Sequence, residues 1–125
     1  MWINCLAVGL GGFAGAVCRY LVGLLPGYYY LDFPVGTMLI NVIGAFFIGL
    51  IAGVVPYDML SVRSQLCLKT GFCGGLTTFS TFSLETVTLL EHGHWLLAGC
   101  YVIGSMVVCL LGVFLGKLLA VKVFV

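Results

Sequence analysis

Four long apolar runs, parted by three short polar or proline-containing connections, make up almost the whole chain. The first extends over about residues 2–25 and stops at Pro26-Gly27, with Tyr28-Tyr29-Tyr30 and Asp32 following. Pro34, suited to a first helical turn, opens the second over about 34–55, ahead of Pro56-Tyr57-Asp58. The third covers about 65–90 and ends at Glu91-His92-Gly93-His94, and the fourth covers about 95–120. Each is long enough to cross a bilayer, which takes about 20 helical residues. The pattern predicts an all-α membrane protein, one transmembrane domain over 1–125 with four transmembrane helices. Short connections make neighbouring helices antiparallel, and four crossings place both termini on one side.

Composition narrows the class. Hydrophobic residues are 62% of the chain and charged residues 7%, with a mean hydropathy of +1.25. Soluble domains carry about a quarter charged residues, so no soluble class fits. A net charge of +1 gives no reason for a nucleic-acid partner. The six cysteines lie mostly inside apolar runs without a CxxC pair, and read as small buried hydrophobes. The N-terminus has no basic region and no small-residue cleavage site, so the first run is expected to be retained as a span. Gly11/Gly15, Gly49/Gly53 and Gly112/Gly116 are spaced for close helix packing in lipid. Four such spans leave little interior volume for a pathway, so an oligomer is expected, most simply a dimer. Arg63, Lys69, Lys117 and Lys122 fall toward the side of the termini and Arg19 toward the other, which places the termini in the cytoplasm.

Polar groups inside the spans are the functional candidates, because lipid penalises them. Arg19, near the end of the first span, either snorkels to the headgroups or supplies a charge at a vestibule. Asn41, about 10 Å into the second helix, can donate to an anion or clamp a neighbouring helix. Gly74-Gly75 is a poor helix interior and predicts a break near the middle of the third span. Backbone freed there is tolerated only when buried in protein or lining a cavity. Beyond it, Phe79 and Phe82 share a face beside a stripe of Thr77, Thr81, Glu85 and Thr88. Core packing alone accounts for two phenylalanines; a stripe with a carboxylate is harder to explain so. Tyr101, Ser105 and Cys109 fall on one face of the fourth span. Ring edges are electropositive and can face a small anion without a full charge.

The order and spacing of three blocks resemble the Fluc (CrcB) family of fluoride channels over essentially the whole length. They are Gly11-Gly12-Phe13-Ala14-Gly15-Ala16 with Arg19-Tyr20, Pro34-Val35-Gly36-Thr37 with Asn41-Val42-Ile43-Gly44, and the run from Gly71 through Gly74-Gly75-Leu76-Thr77-Thr78-Phe79-Ser80-Thr81-Phe82 to Ser83. The resemblance implies a passive, fluoride-selective channel in a prokaryotic plasma or inner membrane, an antiparallel (dual-topology) homodimer with two pores lined by both copies. It implies that Asn41 donates to fluoride, that Phe79 and Phe82 present ring edges, and that Ser80 and Thr81 belong to the pore-forming run. Tyr101 and Ser105 match a polar track, Glu85 a carboxylate beside the pathway, and Arg19 an aqueous entrance. Gly74 and Thr77 match main-chain carbonyl ligands of a sodium ion between the copies.

Cys109 and Val113 stand where the family more often carries hydroxyls, and the Lys/Arg bias favours one orientation where an antiparallel dimer needs both. Two rivals remain. A small four-helix proton-coupled multidrug exporter needs a carboxylate in the membrane, usually in the first span; this first span has none, and only Glu85 stands in. A non-conducting assembly subunit would pass no ions alone. No nucleophile, base and orienting group occur at an enzyme's spacing.

Overall fold

The computed structural model describes residues 1–124. Helix α1 spans Trp2–Gly23, α2 spans Val35–Val54 and runs into a 3-10 turn Val55–Tyr57, and α6 spans Trp95–Phe124. These three are long and apolar enough to cross a membrane. The third segment is composite: α3 (Val62–Gln65), a π-helical stretch Leu66–Cys73, α4 (Gly74–Leu76), two extended residues, then α5 (Phe79–Glu91). Four membrane-length segments thus follow one another in a helical bundle.

The expected break is present but displaced. Gly74 and Gly75 are helical, and the chain opens at Thr77 and Thr78, whose ψ values of 155° and 112° are extended. Gly75 stays helical because packing, not propensity, decides there. A Cβ on it would lie 2.5 Å from the Gly12 carbonyl oxygen and 3.1 Å from the Ala16 nitrogen. Only a bare α-carbon lets these two backbones meet.

That contact belongs to a seam in which Gly11 lies on Cys67 and Gly15 on Phe72 and Gly75, so α1 and the first half of the third segment rise together. A second seam joins α2 to α6. Gly49 abuts Val113, Gly53 abuts Lys117 and Ala120, and Gly116 abuts Phe46 and Leu50, so this pair is also parallel. The glycine pairs in the sequence therefore close the protomer itself. Little else is internal: Ile40, Leu76, Leu89, Ala98, Tyr101 and Ala120 are the buried apolar side chains besides Cys73, while most long apolar side chains point outward. An apolar exterior is the expected surface of a chain dissolved in lipid.

The connection between α1 and α2 is shaped by Gly27, Leu31 and Asp32, all with positive φ, and by a bridge pairing Tyr30 with Phe33. It folds back over α2. Tyr28 lies flat on Gly36, where any Cβ would collide with its ring.

Candidate functional site

The break in the third segment is held open by one side chain. In an unbroken helix the Thr78 N–H would bond the carbonyl four residues back, at Gly74. It donates instead to Asn41 Oδ1 (2.8 Å), and Asn41 Nδ2 donates to the Thr78 carbonyl (3.2 Å). The amide thus replaces a helical turn with a two-bond clamp across 37 residues of sequence. Of the two roles open to Asn41 the clamp is present, and it uses one of two amide N–H groups; among the described residues nothing takes the second.

The broken ends are finished by polar groups. Thr78 Oγ1 accepts from the Thr81 N–H (3.2 Å), an N-cap for α5. It also donates to Thr81 Oγ1 (2.9 Å) and lies 3.2 Å from Ser80 Oγ. The Thr77 hydroxyl bonds back to the Cys73 carbonyl (2.8 Å). Arg19 Nη1 donates to the Thr77 carbonyl (3.0 Å). Arg19 therefore reaches across from α1 to a carbonyl that the break set free.

A cavity of about 570 Å³ opens beside this break. Its wall includes Asn41, Thr77, Thr78, Phe79, Phe82 and Ser105, with Gly74, Cys109 and Val113 further along. Phe79 is 79% exposed and Phe82 half-buried, with their ring centroids 5.7 Å apart at 40°. Ser105 is 5% exposed, and its Oγ is the one buried side-chain polar atom without a partner among the described residues. A buried hydroxyl left unpaired in lipid costs free energy unless something enters to meet it. No carboxylate lines this cavity.

Glu85 lies one layer away, 8% exposed, in a cage of hydroxyls. Its Oε1 accepts from Thr37 Oγ1 (2.7 Å) and Tyr29 OH (2.9 Å), and its Oε2 accepts from Tyr101 OH (2.7 Å). Tyr28 OH in turn lies 2.9 Å from Thr37 Oγ1. Three hydroxyl donors thus satisfy both carboxyl oxygens without a cation. Tyr101 is wholly buried and packs against Phe82 at 5.0 Å and Phe33 at 5.4 Å. Burial of the Tyr29 phenol, then its bond to Glu85, pushes its pKa up from 10 to about 12. A second cavity of about 420 Å³, lined by Tyr29, Asp32, Glu85, His92 and His94 among others, opens on the far side of this cage.

The residues expected from sequence thus fall into groups. Asn41, Phe79, Phe82 and Ser105 share the first cavity with Gly74 and Thr77. Glu85 and Tyr101 form the adjoining cage, Ser80 and Thr81 belong to the α5 cap, and Arg19 sits on the Thr77 carbonyl. Sequence reasoning missed Thr37, Thr78 and Tyr29. Thr37 stands one turn before Asn41 on the same face, which was a readable signal; Tyr29 was hidden in the tyrosine triplet of the first connection.

A helical bundle with three helices long and apolar enough to cross a membrane, opened in its third segment beside a cavity free of carboxylates, has the build of an integral membrane transport protein. The family described as CrcB-like protein, Camphor Resistance (CrcB), matches residues 6–117. Relatives named fluoride-specific ion channel FluC include one from Methanococcus maripaludis, 45% identical over 114 residues, covering 90% of this chain and 92% of that protein. Another, from Chlorobaculum tepidum, is 47% identical over 118 residues, covering 94% of each. A third, from Pyrococcus furiosus, is 45% identical over 113 residues, covering 89% of this chain and 90% of that protein. The chain belongs to the CrcB/FluC family.

Proposed function

We propose that this chain is a fluoride-selective passive channel working as an antiparallel homodimer in a cell membrane. The observation that carries the reading is the first cavity, where an unused Asn41 N–H, the unpartnered Ser105 hydroxyl and two phenylalanine rings meet without a carboxylate. Fluoride is small and strongly hydrated, so a pore must replace its water with close donors and electropositive ring edges. Asn41 and Ser105 supply the donors, and Phe79 and Phe82 the edges. Glu85 stands outside this cavity with both oxygens engaged, which keeps its acceptor oxygens from the anion's path. Ser80 and Thr81 act on the path through the cap that orients α5.

The antiparallel dimer is supported by what one protomer leaves open. Phe79 projects outward at 79% exposure, and a ring edge with no wall opposite it cannot constrict anything. A second copy in the opposite orientation supplies that wall, since a two-fold interface is self-complementary. A sodium ion between the copies fits part of the donor set. The Gly74 carbonyl has lost its helical partner, and no atom lies within 4 Å of where a Gly74 Cβ would stand. The Thr77 carbonyl already accepts from Arg19, so it would offer its remaining lone pair. The Gly74 and Thr77 carbonyls would hold the ion, whose charge would tie the broken spans of the two copies together.

The exporter reading loses ground here, because a proton-coupled carrier needs a carboxylate free for substrate. The test is anion efflux from liposomes holding the purified chain, read with a fluoride electrode and compared with chloride. Fast fluoride efflux driven by voltage supports the proposal, and proton-coupled cation uptake supports the exporter.

A further inference from the structure

We propose that Lys69 is the conductance-setting cation of this pathway, drawing fluoride into the first cavity by long-range attraction without binding it. The inference rests on the channel reading above. Lys69 lies in the apolar run Leu66–Cys73, inside a membrane-length segment, where an ammonium is costly unless it reaches water or the bilayer surface. It lines the first cavity, and it is the one charged residue among the described residues that do so.

The π-helical turn explains its aim. In a π-helix the hydrogen bond closes over five residues, so side chains four and five apart stay on one face. Lys69, Cys73 and Gly74 have that spacing, and all three line the cavity, followed by Thr77. The face that begins with the ammonium therefore leads to the clamp and the unpartnered Ser105 hydroxyl. The other cation near the break, Arg19, is engaged with the Thr77 carbonyl. A compact, well-hydrated ammonium on a flexible stem raises local anion concentration without a bidentate grip. That suits conduction, where an ion must enter readily and also leave.

The test is fluoride efflux from liposomes holding the full chain, at ionic strengths of about 10 mM and about 1 M set with an impermeant salt. A unit charge acting across roughly 10 Å of aqueous cavity changes flux up to about twofold at the lower salt, and is screened away at the higher. Lys69→Gln should lower flux by that factor at low salt alone, Lys69→Glu should lower it further, and Lys69→Arg should match wild type. Lys69→Met serves if Lys69→Gln fails to insert. Wild-type flux in Lys69→Gln at low salt, as expected of a side chain that only snorkels, overturns the proposal. An equal loss at both salts also overturns it, by pointing to a structural role. A wild-type chain that passes no fluoride removes the channel reading itself, an outcome distinct from a failure confined to Lys69.

Discussion

Asn41→Asp exchanges one NH₂ for one oxygen at the clamp, and its consequences separate into two measurable parts. The acceptor toward the Thr78 N–H (2.8 Å) survives, while the donor toward the Thr78 carbonyl (3.2 Å) is lost. Leaving that carbonyl unpaired against a carboxylate costs about 1–3 kcal/mol of stability. The larger effect is on the anion. A negative charge about 4 Å from a fluoride, at an effective dielectric of about 20, opposes it by about 4 kcal/mol. That corresponds to a fall in flux of roughly a thousandfold. Asn41→Ala removes both clamp bonds but adds no charge, so it should cost more stability than flux. The assay is fluoride efflux from liposomes, paired with gel filtration and far-UV circular dichroism to show that each variant assembles. Asn41→Asp that assembles normally and conducts within tenfold of wild type would refute the donor role and leave only the clamp.

Further outcomes follow from the same geometry. Ser105→Ala should reduce fluoride flux severalfold while leaving thermal stability unchanged or raising it by about 1 kcal/mol, because the hydroxyl has no protein partner to lose; a fall in melting temperature would count against it. Gly75→Ala should destabilise by about 1–3 kcal/mol, since its Cβ meets the Gly12 carbonyl oxygen at 2.5 Å. Gly74→Ala meets nothing within its own protomer, so it should spare the isolated fold and weaken the dimer, read by cross-linking in detergent. The phenol of Tyr29, raised from 10 to about 12, binds its proton more tightly folded than unfolded. Its contribution to stability is therefore complete below about pH 10 and lost as pH climbs through about 12, and a melting series across that window should flatten in Tyr29→Phe.

How much of this was legible follows from how local each cause is. The three long apolar helices could be read because a 20-residue apolar run has few other fates. The existence of a break in the third span was legible from the Gly-Gly pair and the hydroxyl-rich run after it, but its position was not. Glycine's low helix propensity pointed to residues 74 and 75, whereas close packing of Gly75 on Gly12 and Ala16 keeps that turn helical. The chain opens instead where Asn41 captures the backbone of Thr78, a partnership no local pattern records. Phe79 with Phe82 on the third span, and Ser105 with Tyr101 on the fourth, were each legible as a face, because helical spacing alone brings each pair to one side. The Glu85 cage was half legible: Tyr101 follows from spacing, but Tyr29 comes from a connection folded back over α2. The π-helical register that turns Lys69 into the cavity had no sequence signal at all.

The most direct measurement is the ratio of fluoride to chloride efflux from liposomes containing the purified chain, under an imposed voltage and at constant pH. A groove built of one amide N–H, one hydroxyl and two ring edges should pass fluoride rapidly and chloride at least ~100-fold more slowly, the larger ion being less well matched to so few close donors. Equal efflux of the two halides, or none of either from a chain that is demonstrably dimeric, contradicts the account.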